Sequence, residues 1–423
     1  MHAKKFSMLV WFISIQFVFA TATDSPIDEH GYCGRVRIPS YPPASMNSNL
    51  VTVNTFFRHA IRADYRRTTC FPDGAQTQFK SAWTSSFDIR GDQGDGSCNG
   101  QLMKEYARGF QVGELLDYAE TQMSRLARYL QQAYPRVYTA ENLQNLFLRS
   151  TDVERTLGSM KLLLRNIAGG SRIPSFTLHT DDFEYDPLNL NCQECRNALE
   201  IANSFTSSEE YQEIIHGDEF TECANRWTNE IGTSFDITQS FDCLMAPACA
   251  NVALPGDISA SEELLQCVSD LTLKIRRLRY GSPRGTRFCQ LATFPFIHQL
   301  VENIHDGISG LWAAHDDTLV CVLSAAGLWN GKWPRYASFL TVETYSDGKM
   351  RVIWDGFEVA VLDDISSLTM PGISNPKDYK EACNVVYSAD RSPTDATESL
   401  WVDLGKIARA IGAFTIVVLV VYF

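Results

Sequence analysis

The chain has 423 residues, 45% of them hydrophobic and 21% charged, with a formal net charge of −13. This is globular composition, enough for one large domain with an insertion or for two domains. Such an acidic chain lacks the basic face that a nucleic-acid backbone demands, which excludes nucleic acid as a partner. Any phosphate it binds must be held by a local arginine cluster against an unfavourable overall field.

Residues 1–22 read as a cleavable secretory signal. Lys4 and Lys5 form the charged start, residues 6–19 the apolar segment, and Ala20-Thr21-Ala22 a small-x-small cleavage site, so the mature chain begins near Thr23. The competing reading is an uncleaved signal anchor. Residues 50–57 are a near-continuous apolar and β-branched run, which predicts a strand buried on both faces of a parallel sheet. It leads directly into Arg58-His59-Ala60-Ile61-Arg62. Residues 88–100, rich in Gly and Asp, predict a surface loop. Residues 101–134 predict a long helical stretch interrupted at Gly109 and Gly113 and ended by Pro135. Residues 146–148 predict a second strand with Arg149 at its end, and Thr151 with Glu154 reads as a capping box for the next helix, closed by Gly169-Gly170.

Residues 187–285 change character. They hold six cysteines, are acidic, follow helical patterns and lack strand runs, which predicts a disulfide-stapled helical cap inserted over the sheet. Residues 310–314 predict a third strand, leading into His315-Asp316-Asp317-Thr318. Asp317 or Thr318 is expected to cap a helix that ends at Gly327. Residues 339–345 and 349–354 alternate in polarity around Ser346-Asp347-Gly348-Lys349, a hairpin signal. The expected fold is α/β, a mostly parallel central sheet flanked by helices, with residues 23–390 forming one domain around the inserted cap.

Residues 411–423 are almost wholly apolar, behind Lys406 and Arg409 and a polar stretch, 388–399, containing Ser392, Thr394 and Ala396. Residues 391–423 therefore read as a polar spacer and membrane-anchor segment. It is either a lipid-anchor signal or a single span over 404–423, with a buried terminal helix as the third reading. Twelve cysteines in a chain routed to an oxidising compartment predict disulfides, whose pairing the sequence leaves open. The alternative, zinc on Cys192, Cys195, Cys243 and Cys249, lacks a second ligand pair at a useful spacing. No Asn-x-Ser/Thr sequon occurs.

Three strand ends thus carry charge, and open α/β sheets build their ligand sites at the carboxyl ends of strands. A phosphoryl group in transfer spreads negative charge over its oxygens, which planar, always-charged guanidinium groups suit. Arg58, Arg62 and Arg149 each follow a predicted strand. His59, between two arginines that disfavour imidazolium, is the natural nucleophile. Arg149 has a rival role as ion partner of Asp152 or Glu154. His298 and His305 read as structural or surface histidines. The Arg276-Arg277-Leu278-Arg279 run reads as a solvated helix face, or as a rim of the cap that steers phosphate.

The Arg58-His59-Ala60-Ile61-Arg62 and His315-Asp316 segments, with Gly100-Gln101-Leu102, the stretch from Leu148-Arg149-Ser150-Thr151-Asp152 to Thr156, and Tyr336-Ala337-Ser338 followed by Glu343, resemble the histidine acid phosphatases of the lysosomal and prostatic type. The resemblance spans residues 49–354. It implies a phosphoric monoester hydrolase in which His59 becomes phosphohistidine, Arg58, Arg62, Arg149 and His315 hold the phosphate, and Asp316 is the proton donor. Bound phosphate and Asp317 are expected to raise the Asp316 carboxyl. It implies no cofactor or metal, small phosphomonoester substrates, and a catalytic domain on the lumenal or extracellular side of a membrane, in a lysosome-like compartment or at the cell surface. A homodimer is compatible with it. Two positions depart from the family pattern: Ala60 stands where Gly is usual, and Asp64 where Pro is usual. If position 60 needs positive φ, Ala strains it. These departures support the alternative of a catalytically weakened relative that binds phosphorylated ligands.

Overall fold

The computed structural model describes residues 32–34, 49–63, 70–72, 113–169, 177–181, 186–190, 195–363, 373 and 375–384. The expected signal (1–22), the Gly- and Asp-rich loop (88–100), Gly100-Gln101-Leu102, Asp64 and the C-terminal anchor segment (391–423) lie outside the described residues. Among the described residues no helix is long and apolar enough to cross a membrane.

A six-stranded sheet organises the fold, in the order β2-β3-β1-β4-β5-β6. Its strands are β1 (Leu50–Arg58), β2 (Phe147–Ser150), β3 (Gly310–Ala314), β4 (Phe339–Tyr345), β5 (Met350–Trp354) and β6 (Phe357–Leu362). The sheet is mixed. β3 pairs parallel with both β2 and β1, and β4, β5 and β6 extend the β1 side as an antiparallel meander. The β4–β5 turn falls where Asp-Gly predicts it, with Gly348 at φ +84°.

Period-2 alternation explains why the parallel strands read as apolar runs. Val53, Phe57, Leu148, Leu311 and Ala313 pack on one face, and Phe56, Trp312 and Ala314 on the other. Helices α1 (Tyr118–Ala133) and α2 (Glu154–Ile167) supply Met123, Leu126, Leu130, Met160 and Leu163 to the first face. Helices α8 (Pro283–His305) and α9 (Asp316–Ala325) supply Phe296, Leu300, Leu319 and Leu323 to the second. Gly169 and Gly327, both at positive φ, lie just beyond the ends of α2 and α9.

Between α2 and β3 the described residues hold helices and no strand: α3 (Arg196–Ser204), α4 (Glu209–Ile215), α5 (Asp218–Ile231), α6 (Ile237–Ala250), α7 (Glu262–Gly281) and α8. A last helix, α10 (Pro376–Cys383), follows the sheet. Five disulfides join described residues: Cys33–Cys249, Cys70–Cys243, Cys195–Cys383, Cys223–Cys267 and Cys289–Cys321. Cys195, Cys243 and Cys249 are therefore cystine sulfurs and not thiolate ligands. Among these five, only Cys223–Cys267 closes within 187–285. Three others fasten this helical region to chain segments on either side of it.

Candidate active site

The parallel register brings Arg58 opposite Ala314 and Ser150 opposite Ala313, so β1, β2 and β3 end at one edge of the sheet. β3 lies between the other two, which puts His315 between the residues that follow β1 and those that follow β2.

His59 is 2% exposed. Its Nδ1 lies 2.8 Å from the Ala60 carbonyl oxygen. A carbonyl only accepts, so Nδ1 carries the proton and Nε2 keeps its lone pair. Burial, then Arg155, Arg58, Arg62 and His315, hold the imidazole well below its ordinary range and therefore neutral. The backbone around it is pinned. His59 N–H donates to Ala314 O (3.1 Å), Ala60 N–H to Ser159 Oγ (2.9 Å) and Ile61 N–H to Gln122 Oε1 (2.7 Å). Ala60 is not among the positive-φ residues, so Ala in place of the usual Gly is accommodated without strain.

Arg58 is fully buried. Its Nη1 donates to Pro334 O at 2.8 Å, and its Nη2 donates to the Tyr32 hydroxyl and pairs with Asp316 Oδ2, both at 3.0 Å. Its guanidinium lies 4.2 Å from the Tyr336 ring centroid and 5.0 Å from that of Tyr32. Arg62 donates to Ala63 O (2.8 Å) and to Asp242 Oδ2 (2.9 Å), an acidic partner from α6.

His315 closes the edge, its ring centroid 5.7 Å from that of His59. Its Nδ1 lies 3.3 Å from Arg155 Nη2 and its Nε2 3.0 Å from Thr151 Oγ1. Guanidinium only donates, so Nδ1 accepts and Nε2 carries the proton. Burial and then Arg155 keep this imidazole neutral as well.

The structure brings Arg58, His59, Arg62, His315 and Asp316 together, but Arg149 elsewhere. Arg149 lies in β2 in register with Trp312, on the face away from His59. Its guanidinium donates to Asp181 Oδ2 (2.5 Å), Asp186 Oδ1 (2.8 Å), Ser150 O and His179 O. Its acidic partners are thus Asp181 and Asp186, not Asp152 or Glu154. Arg155, in the first turn of α2, is the guanidinium that reaches the histidines. The signal for it was available: a helix start after a strand end points its first-turn side chains at that edge. The capping box also resolves differently. Val153 is the N-cap of α2, and Thr151 instead engages His315 and, at 2.8 Å, Thr156 Oγ1. Likewise His315, not Asp317 or Thr318, is the N-cap of α9.

The two carboxyls of α9 are driven apart. Burial would raise Asp316, but Arg58, Arg276 and the Trp333 indole N–H, 3.0 Å from Oδ2, hold it well below the carboxylate range. Burial and the Asp316 charge push Asp317 up to about 6. In this structure Asp317 is therefore the raised member of the pair, and Asp316 the ionised one. Among the described residues no group of three or more His, Cys, Asp or Glu could hold a metal ion.

No protein-family model matches the chain. Testicular acid phosphatase of Mus musculus is 25% identical over 272 residues, covering 59% of this chain and 63% of that protein. Lysophosphatidic acid phosphatase type 6 of Homo sapiens is 26% identical over 254 residues, covering 56% and 58%. The chain thus spans less than two thirds of the curated relatives it matches. In fold it is similar to the phytase of Klebsiella sp. ASR1, with a TM-score of 0.50 at 11% identity over 72% of this chain and 83% of that one. A multiple inositol polyphosphate phosphatase of Bifidobacterium longum gives a TM-score of 0.50 at 11% identity, over 77% and 90%. In sequence the chain is thus similar to acid phosphatases over part of their length, and in fold to a phytase and an inositol polyphosphate phosphatase.

Proposed function

We propose that the protein is a metal-independent acid phosphatase that hydrolyses phosphate monoesters through a phosphohistidine on His59. The observation that carries this reading is the tautomer of His59. Nδ1–H is committed to the Ala60 carbonyl, which leaves Nε2 as a neutral nucleophile among guanidinium groups. In the first step Nε2 attacks phosphorus, the N–P bond forms and the ester P–O bond breaks. The departing alkoxide takes the proton of the Asp316 carboxyl. In the second step water attacks phosphorus and gives a proton back to Asp316, and the N–P bond breaks to release phosphate and neutral His59. Arg58, Arg62 and Arg155 stabilise the transferring group's oxygens, supplying positive charge that a metal supplies in other phosphatases, and His315 lines the same pocket as a neutral imidazole.

Asp316 has to be protonated for the first step, and Arg58 works against that. An incoming phosphoryl anion competes for Arg58 and adds negative charge beside the carboxyl. Both effects raise its pKa, and a monoanionic ester can deliver the proton itself. Arg149 is not included in this mechanism, because its guanidinium is engaged by Asp181 and Asp186. The weakened-relative reading loses the support it drew from Ala60, whose φ is ordinary. The names of the relatives span a lysophospholipid and a sugar phosphate, so they do not single out one alcohol. Five disulfides suit an oxidising compartment, the lumenal or extracellular location we assign to the catalytic domain. Membrane attachment through residues 391–423 is part of the same proposal.

The test is trapping. Quenching the enzyme in base during turnover of a labelled aryl phosphate should leave acid-labile label on the wild type and none on His59→Ala. Since His59 is already neutral, kcat/KM should not fall with a midpoint near 6.5, where an ordinary imidazole gains its proton. Full activity in His59→Ala, or an acid limb at that midpoint, would sink the mechanism.

A further inference from the structure

Arg276 of α7 is not consumed by the mechanism above. Its guanidinium carbon lies 3.9 Å from the Trp333 ring centroid and 4.5 Å from that of Phe241. Its Nη1 is buried and has no hydrogen-bond partner among the described residues. A buried guanidinium N–H with nothing to donate to is costly, and such donors mark strain or an absent ligand.

The neighbours of Arg276 form a closed circuit. Trp333 donates its indole N–H to Asp316 Oδ2 at 3.0 Å, Asp316 pairs with Arg58, and Arg58 donates to the Tyr32 hydroxyl. The Tyr32 ring meets Phe241 edge-on with centroids 5.0 Å apart, which returns the path to Arg276. Arg276 therefore stands on the Asp316 side of the site. In the proposed reaction Asp316 protonates the departing oxygen, so this is the side where the alcohol part of the substrate lies. Trp333 and Phe241 fix the guanidinium plane without using its donors.

We propose that Arg276 is a specificity-determining residue that donates to a second anionic group, carboxylate or phosphoryl, on the leaving alcohol, so that the enzyme prefers monoesters of acidic alcohols. The inference rests on the phosphatase reading and deepens it. A charge-assisted hydrogen bond to the buried Nη1 of this half-buried guanidinium contributes about 1.5–3 kcal/mol, or about a 10- to 100-fold preference.

The matched substrates are 3-phosphoglycerate and glycerol 3-phosphate, which differ in a carboxylate against a hydroxymethyl group. Glycerol 1,3-bisphosphate tests a phosphoryl group in the same role. At about pH 5.5, where a free carboxylate is ionised, wild type should favour the acidic members by about tenfold or more in kcat/KM. Arg276→Leu should collapse that ratio toward unity, mostly through KM. Taking the ratio cancels any effect of the substitution on the chemistry common to all substrates. Arg276→Lys should restore part of it, keeping the charge but losing the planar fork. Arg276→Gln serves if the leucine variant does not fold. Calorimetric binding of the same compounds to His59→Ala, with and without Arg276→Leu, reads the preference without turnover. Failure of the phosphatase reading is thereby separated from failure of this one. A wild type indifferent to the second anion, or a ratio that Arg276→Leu leaves unchanged, overturns the proposal.

Discussion

Arg149 and Arg155 show how backbone periodicity assigns work to identical side chains. Arg149 sits in a strand, where alternation points it to the face away from His59 and into Asp181 and Asp186. Arg155 sits in the helical turn that follows and reaches His315. Their loss should therefore be felt in different measurements. Arg155→Met should lower kcat/KM by about 10²–10³ with little change in stability, as removing one transition-state donor does. Arg149→Met leaves Asp186, which is fully buried, without its cation, and should cost about 3–5 kcal/mol in a denaturant titration at neutral pH. Burial, opposed by Arg149, already pushes Asp186 up to about 7. A carboxyl raised in the folded state binds more protons there than in the unfolded chain, so its contribution improves as pH falls. The Arg149→Met deficit should accordingly shrink when the titration is repeated below the Asp186 pKa. A deficit that is the same at both pH values, or a collapse of kcat/KM in the Arg149 variant's folded fraction, would reverse the assignment.

Strand ends were legible in the sequence and helix contributions were not, for a reason visible in β1 and β3. Both strands are buried on two faces, so their apolar runs stop where the sheet edge begins, and the next residues are the site. Arg155 follows a strand end in the first turn of α2 and could have been read there, but Tyr32, Asp242, Phe241, Trp333 and Arg276 carry no such local mark. Their place is set by how helices and loops dock on the sheet edge, and only the tertiary contacts reveal it. The same distinction separates catalysis from support in β4. Glu343, fully buried, accepts from the Tyr134 hydroxyl at 2.9 Å, from Arg351 Nη1 at 3.0 Å and from the Tyr345 hydroxyl. Tyr134, just beyond α1, and Arg351 of β5 thereby tie β4 to both neighbours. Glu343→Leu should strand Arg351 and two phenols, lowering the denaturation midpoint by an amount equivalent to about 3–5 kcal/mol. KM should stay unchanged in the folded protein. A kcat/KM loss without a midpoint shift would give Glu343 a part in the chemistry instead.

On the scale of the molecule, the helical region between β2 and β3 completes the site as well as covering it. α6 supplies Asp242 to Arg62, α7 supplies Arg276, and Cys33–Cys249 ties the end of α6 to the residue beside Tyr32. Replacing Cys33 and Cys249 with Ala should therefore lower both Tm and kcat, because the phenol that holds Arg58 is released along with the crosslink. Replacing Cys195 and Cys383, which join α3 to α10, should lower Tm alone. Equal kcat in the two double variants would deny Cys33 any influence on the site. The pairing also bears on how the chain is made. Cys33 and Cys249 are 216 residues apart, and Cys70–Cys243 is nested inside that span. A chain emerging N-terminus first exposes Cys33 and Cys70 together, long before either partner exists. Bridging the first pair available would lock Tyr32 away from Arg58. In an oxidising compartment these two thiols have to stay open, or be reshuffled, until α6 has been synthesised, so thiol exchange would join folding of the sheet in setting the rate of maturation.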